Sequence, residues 1–237
     1  MSLPTVKHPT FNINVPGGKP EEFRPMLVRE EKILLTAKES GETADVLKAV
    51  KQVVAGCATR KGFDVNSLPI FALEYIFLKL RAGSIDSVIK VSYKDNEDEK
   101  VRDFSIDLTK IEVQFPEEKV DNRIDLGGGV GVVMRYPQAA LYGDKAFMDT
   151  RAEDYLFELV LRCIERVYDG EQVYETKNMR RQELAEFVEG LGVKSFEKMA
   201  DFLSKAPGMR HEIRYTNDKG SERVITMTTL NDFFTLS

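Results

Sequence analysis

This chain offers few side chains for catalysis. Its 237 residues include two histidines, His8 and His211, and two cysteines, Cys57 and Cys163. A nucleophilic triad would need one of those histidines beside a serine or cysteine and an acid. His8 falls in a proline-punctuated segment and His211 opens a strand pattern, and neither adjoins a cysteine or a glycine-rich turn. Both read as surface histidines. No C-x-x-C or H-E-x-x-H occurs, so a zinc site has no sequence support, and neither metal nor cofactor is expected. The run Gly127-Gly128-Gly129-Val130-Gly131 is the one phosphate-like feature. It lacks the Lys-Ser/Thr of a nucleotide loop and leads into a strand-like Val132–Met134 segment, not a helix. A tight turn with glycines at positive φ accounts for it. A small-ligand or enzymatic loop over Gly127–Gly131 is the competing reading.

The segment Phe23–Ser40, FRPMLVREEKILLTAKES, raises a different question. Leu27, Glu31, Leu34 and Leu35 share one side of a helix beginning near Leu27, with Met26, Glu30, Ile33 and Ala37 on the adjoining side. A carboxylate among leucines is costly to bury without a cation or backbone donors. One reading leaves Glu30 and Glu31 at the solvated edge or in the positive first turn. The other pairs one of them with Arg24 or Arg81.

Apolar residues make up 42 % of the chain and charged residues 31 %, the balance of a globular protein. The length allows one large domain or two small ones. A net charge of −5 disfavours nucleic acid as a partner, because that affinity comes largely from Lys and Arg neutralising phosphates. The densest basic cluster, Lys177–Arg181, reads as a solvated helix entrance. The most apolar stretch, Leu68–Leu80, is interrupted by Glu74 and Lys79, so no membrane span is expected. MSLPTVKHP has no basic region followed by an apolar core, so no secretory signal is expected and both cysteines should be reduced and buried.

Pro4, Pro9, Pro16, Pro20 and Pro25 make residues 1–26 an extended arm. Phe11, Ile13 and Val15 alternate with Asn12 and Asn14, giving the arm an apolar edge that must lie on its own body or on a partner. Helices are expected over Arg29–Ser40, Thr43–Cys57 and from Ser67 or Leu68 onward. The third is apolar nearly all round and central to a helical lobe over 27–84. Over 85–137 the period becomes two, giving four or five mostly antiparallel strands, with KDNEDEK as a hairpin loop. Thr150 and Glu153 read as a capping box opening a helix Arg151–Tyr168. Its polar face carries Glu158, Arg162, Glu165 and Arg166 as i, i+4 ion pairs. Helices Arg181–Leu191 and Ser195–Lys205 follow as a hairpin joined through Phe196 and Met199. A β-hairpin around NDKG and a short last turn complete the lobe over 150–237. The fold class is α+β: an N-terminal helical lobe, a central mostly antiparallel sheet, and C-terminal helices closed by a β-hairpin.

The order of arm, arginine-proline, acid-acid-lysine and paired leucines resembles the start of the baseplate hub assembly proteins of T-even-type tailed phages. Similar blocks follow in order: LPIFALEYIFLKLRAGSI (Leu68–Ile85), SIDLTKIEV (Ser105–Val113), Glu183–Tyr215 and TLNDFF (Thr229–Phe234). The resemblance implies a non-enzymatic protein of tail morphogenesis that binds hub proteins in the host cytoplasm during assembly. A structural subunit kept in the virion is the close alternative. Partner contacts are expected from Phe11, Ile13, Val15 and Phe23 in the arm and from Phe196, Met199 and Phe202 near the C-terminus. The resemblance implies that some relatives of this kind carry cysteine pairs near the middle and C-terminal hairpins. Those places read SYKDNEDEK and RYTNDKGSER here, so a metal role is not carried over.

Overall fold

The computed structural model describes residues 6–40, 42–118 and 120–233. The strands are β1 (Phe11–Asn14), β2 (Pro20–Phe23), β3 (Val88–Lys94), β4 (Val101–Asp107), β5 (Val113–Gln114) and β6 (Arg123–Gly127). They continue with β7 (Val130–Met134), β8 (Ile164–Asp169), β9 (Gln172–Glu175), β10 (Gly208–Met209), β11 (His211–Thr216) and β12 (Glu222–Met227). The helices are α1 (Val28–Ser40), α2 (Thr43–Cys57), α3 (Ile70–Ser84), α4 (Lys145–Met148), α5 (Tyr155–Cys163), α6 (Arg181–Glu189), α7 (Val193–Ser204) and α8 (Leu230–Phe233). The strand pairings are antiparallel, and the fold is α+β. The chain forms two compact units: the described residues up to Gln114 with those from Gly208 onward, and Phe115–Pro207. The period-two region 85–137 is thus divided, β3 and β4 belonging to one unit, β6 and β7 to the other.

In the first unit α3 is the centre. Phe71, Ala72, Leu73, Tyr75, Ile76, Phe77, Leu78 and Leu80 are all buried, as an all-round apolar sequence requires. The proline-rich arm folds back as the β1–β2 hairpin, with Phe11 opposite Phe23 and Gly17 in the turn at φ 73°. Ile13, Val15 and Phe23 are buried. The Phe11 ring lies over Gly83 of α3, where a Cβ would come within 3.0 Å of the ring. Over Phe11–Phe23 the arm therefore lies on its own body; residues 1–5 of the expected arm lie outside the described residues.

A chain beginning at Phe23 loses β1 together with buried Ile13 and Val15. Burial of such a side chain contributes roughly 1.5–3 kcal/mol, so the truncated chain is expected to lose at least about 3 kcal/mol of stability. A urea midpoint equal to that of the full chain would contradict this.

In the second unit α5, α6 and α7 contribute to a core with the sheet β6-β7-β8-β9. That core includes Val132, Met134, Val160, Ile164, Val167, Leu184, Val188, Met199 and Phe202. The expected helix Arg151–Tyr168 is corrected here: α5 ends at Cys163 and the chain passes directly into β8. A β-bulge explains the misreading. Ile164 pairs with Met134 and Arg166 with Val133, which leaves Glu165 as the extra residue. Ile164 and Val167, three apart, therefore face the same side as Met134 and Val132 and mimic a helical stripe. Pairing of β8 with β7 on one side and β9 on the other decides the conformation, which no local pattern reports. The expected capping box is absent as well, since the Thr150 hydroxyl donates to the Ala146 carbonyl at 3.1 Å.

Gly127, Gly128 and Gly129 form the β6–β7 turn at φ 99°, 65° and 85°, the positive-φ turn expected from the sequence. Gly131 serves differently, lying beneath the ring of its cross-strand partner Tyr168.

Candidate interaction sites

Arg24 leaves β2 and meets Glu30 in the first turn of α1 through two hydrogen bonds, Nη2 to Oε1 at 2.8 Å and Nη1 to Oε2 at 3.1 Å. Glu30 is only 3 % exposed. Its Oε2 also accepts from the Leu27 backbone N–H at 2.9 Å, the N-cap contact of α1, and its Oε1 from Arg29 at 2.8 Å. Burial alone would raise the Glu30 pKa, but Arg24, Arg29 and the Leu27 N–H hold it down at about 2. Arg24 additionally donates to the carbonyls of Gly56 (2.6 Å) and Pro25 (2.9 Å). The group ties the arm, α1 and the end of α2 together. Both sequence readings apply to Glu30, which caps the first turn and pairs with a cation. Arg81 is buried, and burial lowers its pKa against the opposing charges of Glu31 and Asp86.

The β3–β4 and β11–β12 turns meet. Each is built on an Asx turn: Asp95 Oδ1 accepts from Glu97 N–H at 2.8 Å, and Asn217 Oδ1 from Lys219 N–H at 3.1 Å and Ser221 N–H at 2.9 Å. Between the turns, the Tyr215 hydroxyl donates to Asp95 at 2.5 Å and the Asn217 amide to Glu97 at 2.7 Å. Asp98 accepts from the Asp218 N–H at 3.0 Å. Arg102 bridges Asp98 (2.5 Å) and Asp218 (2.7 Å), and Lys100 also pairs with Asp218. Asp95 and Asn217 are buried. The Arg102 guanidinium holds the Asp98 carboxyl well below the usual carboxylate range, and the hydrogen bond from the Tyr215 hydroxyl lowers the pKa of Asp95. Sequence reasoning located both turns but not their meeting. The shared Asx residue two positions before a lysine or acid was the available signal. Among the described residues no group of three or more His, Cys, Asp or Glu is placed to hold a metal ion.

The residues expected to meet a partner are spent largely in the protein's own cores. Phe23, Ile13, Val15, Met199 and Phe202 are buried, while Phe11 and Phe196 are half-buried. Phe202 stacks on Tyr136 with ring centroids 4.9 Å apart, and Phe196 on Phe157 at 6.1 Å. Apolar side chains left outside include Val28 and Leu35 on α1, Tyr155 and Leu156 on the first turn of α5, and Val193 at the start of α7. Burial pushes the Cys57 thiol up to about 11 and the Cys163 thiol up to about 12, so neither is a ready thiolate. Among the described residues no helix is long and apolar enough to cross a membrane.

Comparison with curated proteins found no match, and comparison with solved structures found none either. A family described as T4 bacteriophage base plate protein matches residues 8–235. That span takes in both units, the arm hairpin and the two facing turns. The chain belongs to this family of phage baseplate proteins.

Proposed function

We propose that the protein is a non-enzymatic assembly factor for the central hub of the baseplate and acts by binding hub proteins. The observation that carries this reading is the family match over nearly the whole chain, joined to the ordered blocks that resemble hub assembly proteins. Two structural features support it. Charged groups at the most elaborate polar clusters, around Glu30 and around Asp98, are engaged with each other and with backbone, so they hold the fold together. The exposed apolar residues on α1, α5 and α7 supply the kind of surface that protein recognition uses.

A tagged chain recovered from infected cells is expected to carry hub proteins with it, and to be absent or far below stoichiometric in purified virions. Stoichiometric presence in virions would make it a retained subunit instead. Recovery without any hub protein would overturn the reading.

A further inference from the structure

A recess of about 280 Å³ opens in the second unit where β7 ends, α5 passes into β8 and α6 begins. Its rim is cationic, with Arg135, Arg162, Lys177, Arg180 and Arg181, and no carboxylate lines it. Its floor is apolar, formed by Leu161, Ile164, Met179 and Leu184. Three of the cations already have acids: Arg162 with Asp144, Arg180 with Glu183 at 2.5 Å, and Arg181 with Glu158. Among the described residues Arg135 and Lys177 form no ion pair, and the Arg135 guanidinium donates to the Arg162 carbonyl, at 3.3 Å. The position of Lys177 is fixed by its neighbour. Thr176 Oγ1 lies 2.8 Å from the Ile164 carbonyl oxygen and 2.9 Å from that of Glu165.

Two uncompensated cations over an apolar floor select a ligand that is both anionic and apolar. The volume falls just below the roughly 300–1,000 Å³ of small-molecule sites, room for one or two side chains. No aromatic residue lines the recess to stack a base, and with three of its five cations already paired, Arg135 and Lys177 alone are too few to hold an extended polyanion, whose affinity grows with the number of phosphates neutralised. We propose that the recess binds an acidic peptide segment of a partner protein. A carboxylate would face Arg135 and Lys177, and a neighbouring apolar side chain would rest on the floor. This deepens the reading above, since it rests on the chain acting by protein binding.

The test titrates the full chain into a labelled peptide of glutamate and leucine, and into its counterpart with glutamine for glutamate. The glutamate peptide is expected to bind, with the glutamine peptide at least about tenfold weaker. The double variant Arg135→Gln, Lys177→Gln is expected to weaken binding by about tenfold with unchanged melting, both side chains being exposed. Arg166→Gln, outside the recess, should leave it unchanged. Equal binding of both peptides, binding of neither, or an undiminished double variant would overturn the proposal. So would a thymidine oligonucleotide that binds the recess more tightly than the peptide. Capture of hub proteins by the wild-type chain is scored separately, so failure here leaves that reading standing.

Discussion

Glu30→Ala is expected to destabilise the protein by about 3–5 kcal/mol, because it leaves the Arg24 guanidinium without its carboxylate in a largely buried site. The loss is larger than for a surface ion pair on three counts. Glu30 is 3 % exposed, it is held by two hydrogen bonds from Arg24, and it also satisfies the N-cap donor of α1. Arg24→Ala should cost a similar amount, since a buried carboxylate is then left with Arg29 and the Leu27 N–H. The same group gives an acid dependence. The Glu30 pKa falls from 4.5 to about 2 on folding, so its stabilisation is complete above pH 4.5 and is lost as the pH drops toward 2. At roughly 1.4 kcal/mol per pH unit this amounts to about 3 kcal/mol. Glu30→Gln should therefore flatten the stability profile over that window. Denaturation midpoints measured at several pH values check both statements, and an unchanged midpoint for Glu30→Ala would sink the first.

The second large effect is expected at Gly131. A Cβ there would stand 2.0 Å from the Tyr168 hydroxyl oxygen and 2.6 Å from the Ile124 carbonyl oxygen. The tyrosine could swing away, but the backbone carbonyl of the paired strand cannot. Tyr168 is itself buried, with the Arg123 guanidinium 4.2 Å from its ring centroid. Gly131→Ala must therefore part the β6–β7 pairing or expel the ring, and a loss of at least about 3 kcal/mol is expected, the upper end for overpacking. Gly128→Ala is the informative comparison. Its φ of 65° disfavours a side chain, yet nothing lies within 4 Å, so the expected cost is only the left-handed backbone term of about 1–2 kcal/mol. Equal urea midpoints for the two variants would show that close packing by Tyr168 is not what demands glycine at 131.

The sequence determined much of the protein where the physical cause is local. The all-round apolar α3, the boundaries of α2, the C-terminal hairpin and the positive-φ glycine turn follow from periodicity and backbone sterics within a few residues. The α+β class followed from the same patterns, and the phage baseplate family from the order of its blocks. Tertiary structure decided what depends on residues far apart in the chain. Only pairing with β7 and β9 turns Ile164–Asp169 into a strand, because a bulge at Glu165 gives it the spacing of a helix. Arg24 and Arg81 were both available to the acids of α1, and the return of β2 along the end of α2 assigns Arg24 to Glu30. The facing turns at Asp95 and Asn217 lie 122 positions apart, and the recess gathers Arg135 with Lys177 across α5 and β8. The apolar edge of the arm was legible as an edge needing a surface. That the surface is the protein's own core was decided by α3, whose Gly83 leaves the space that Phe11 fills.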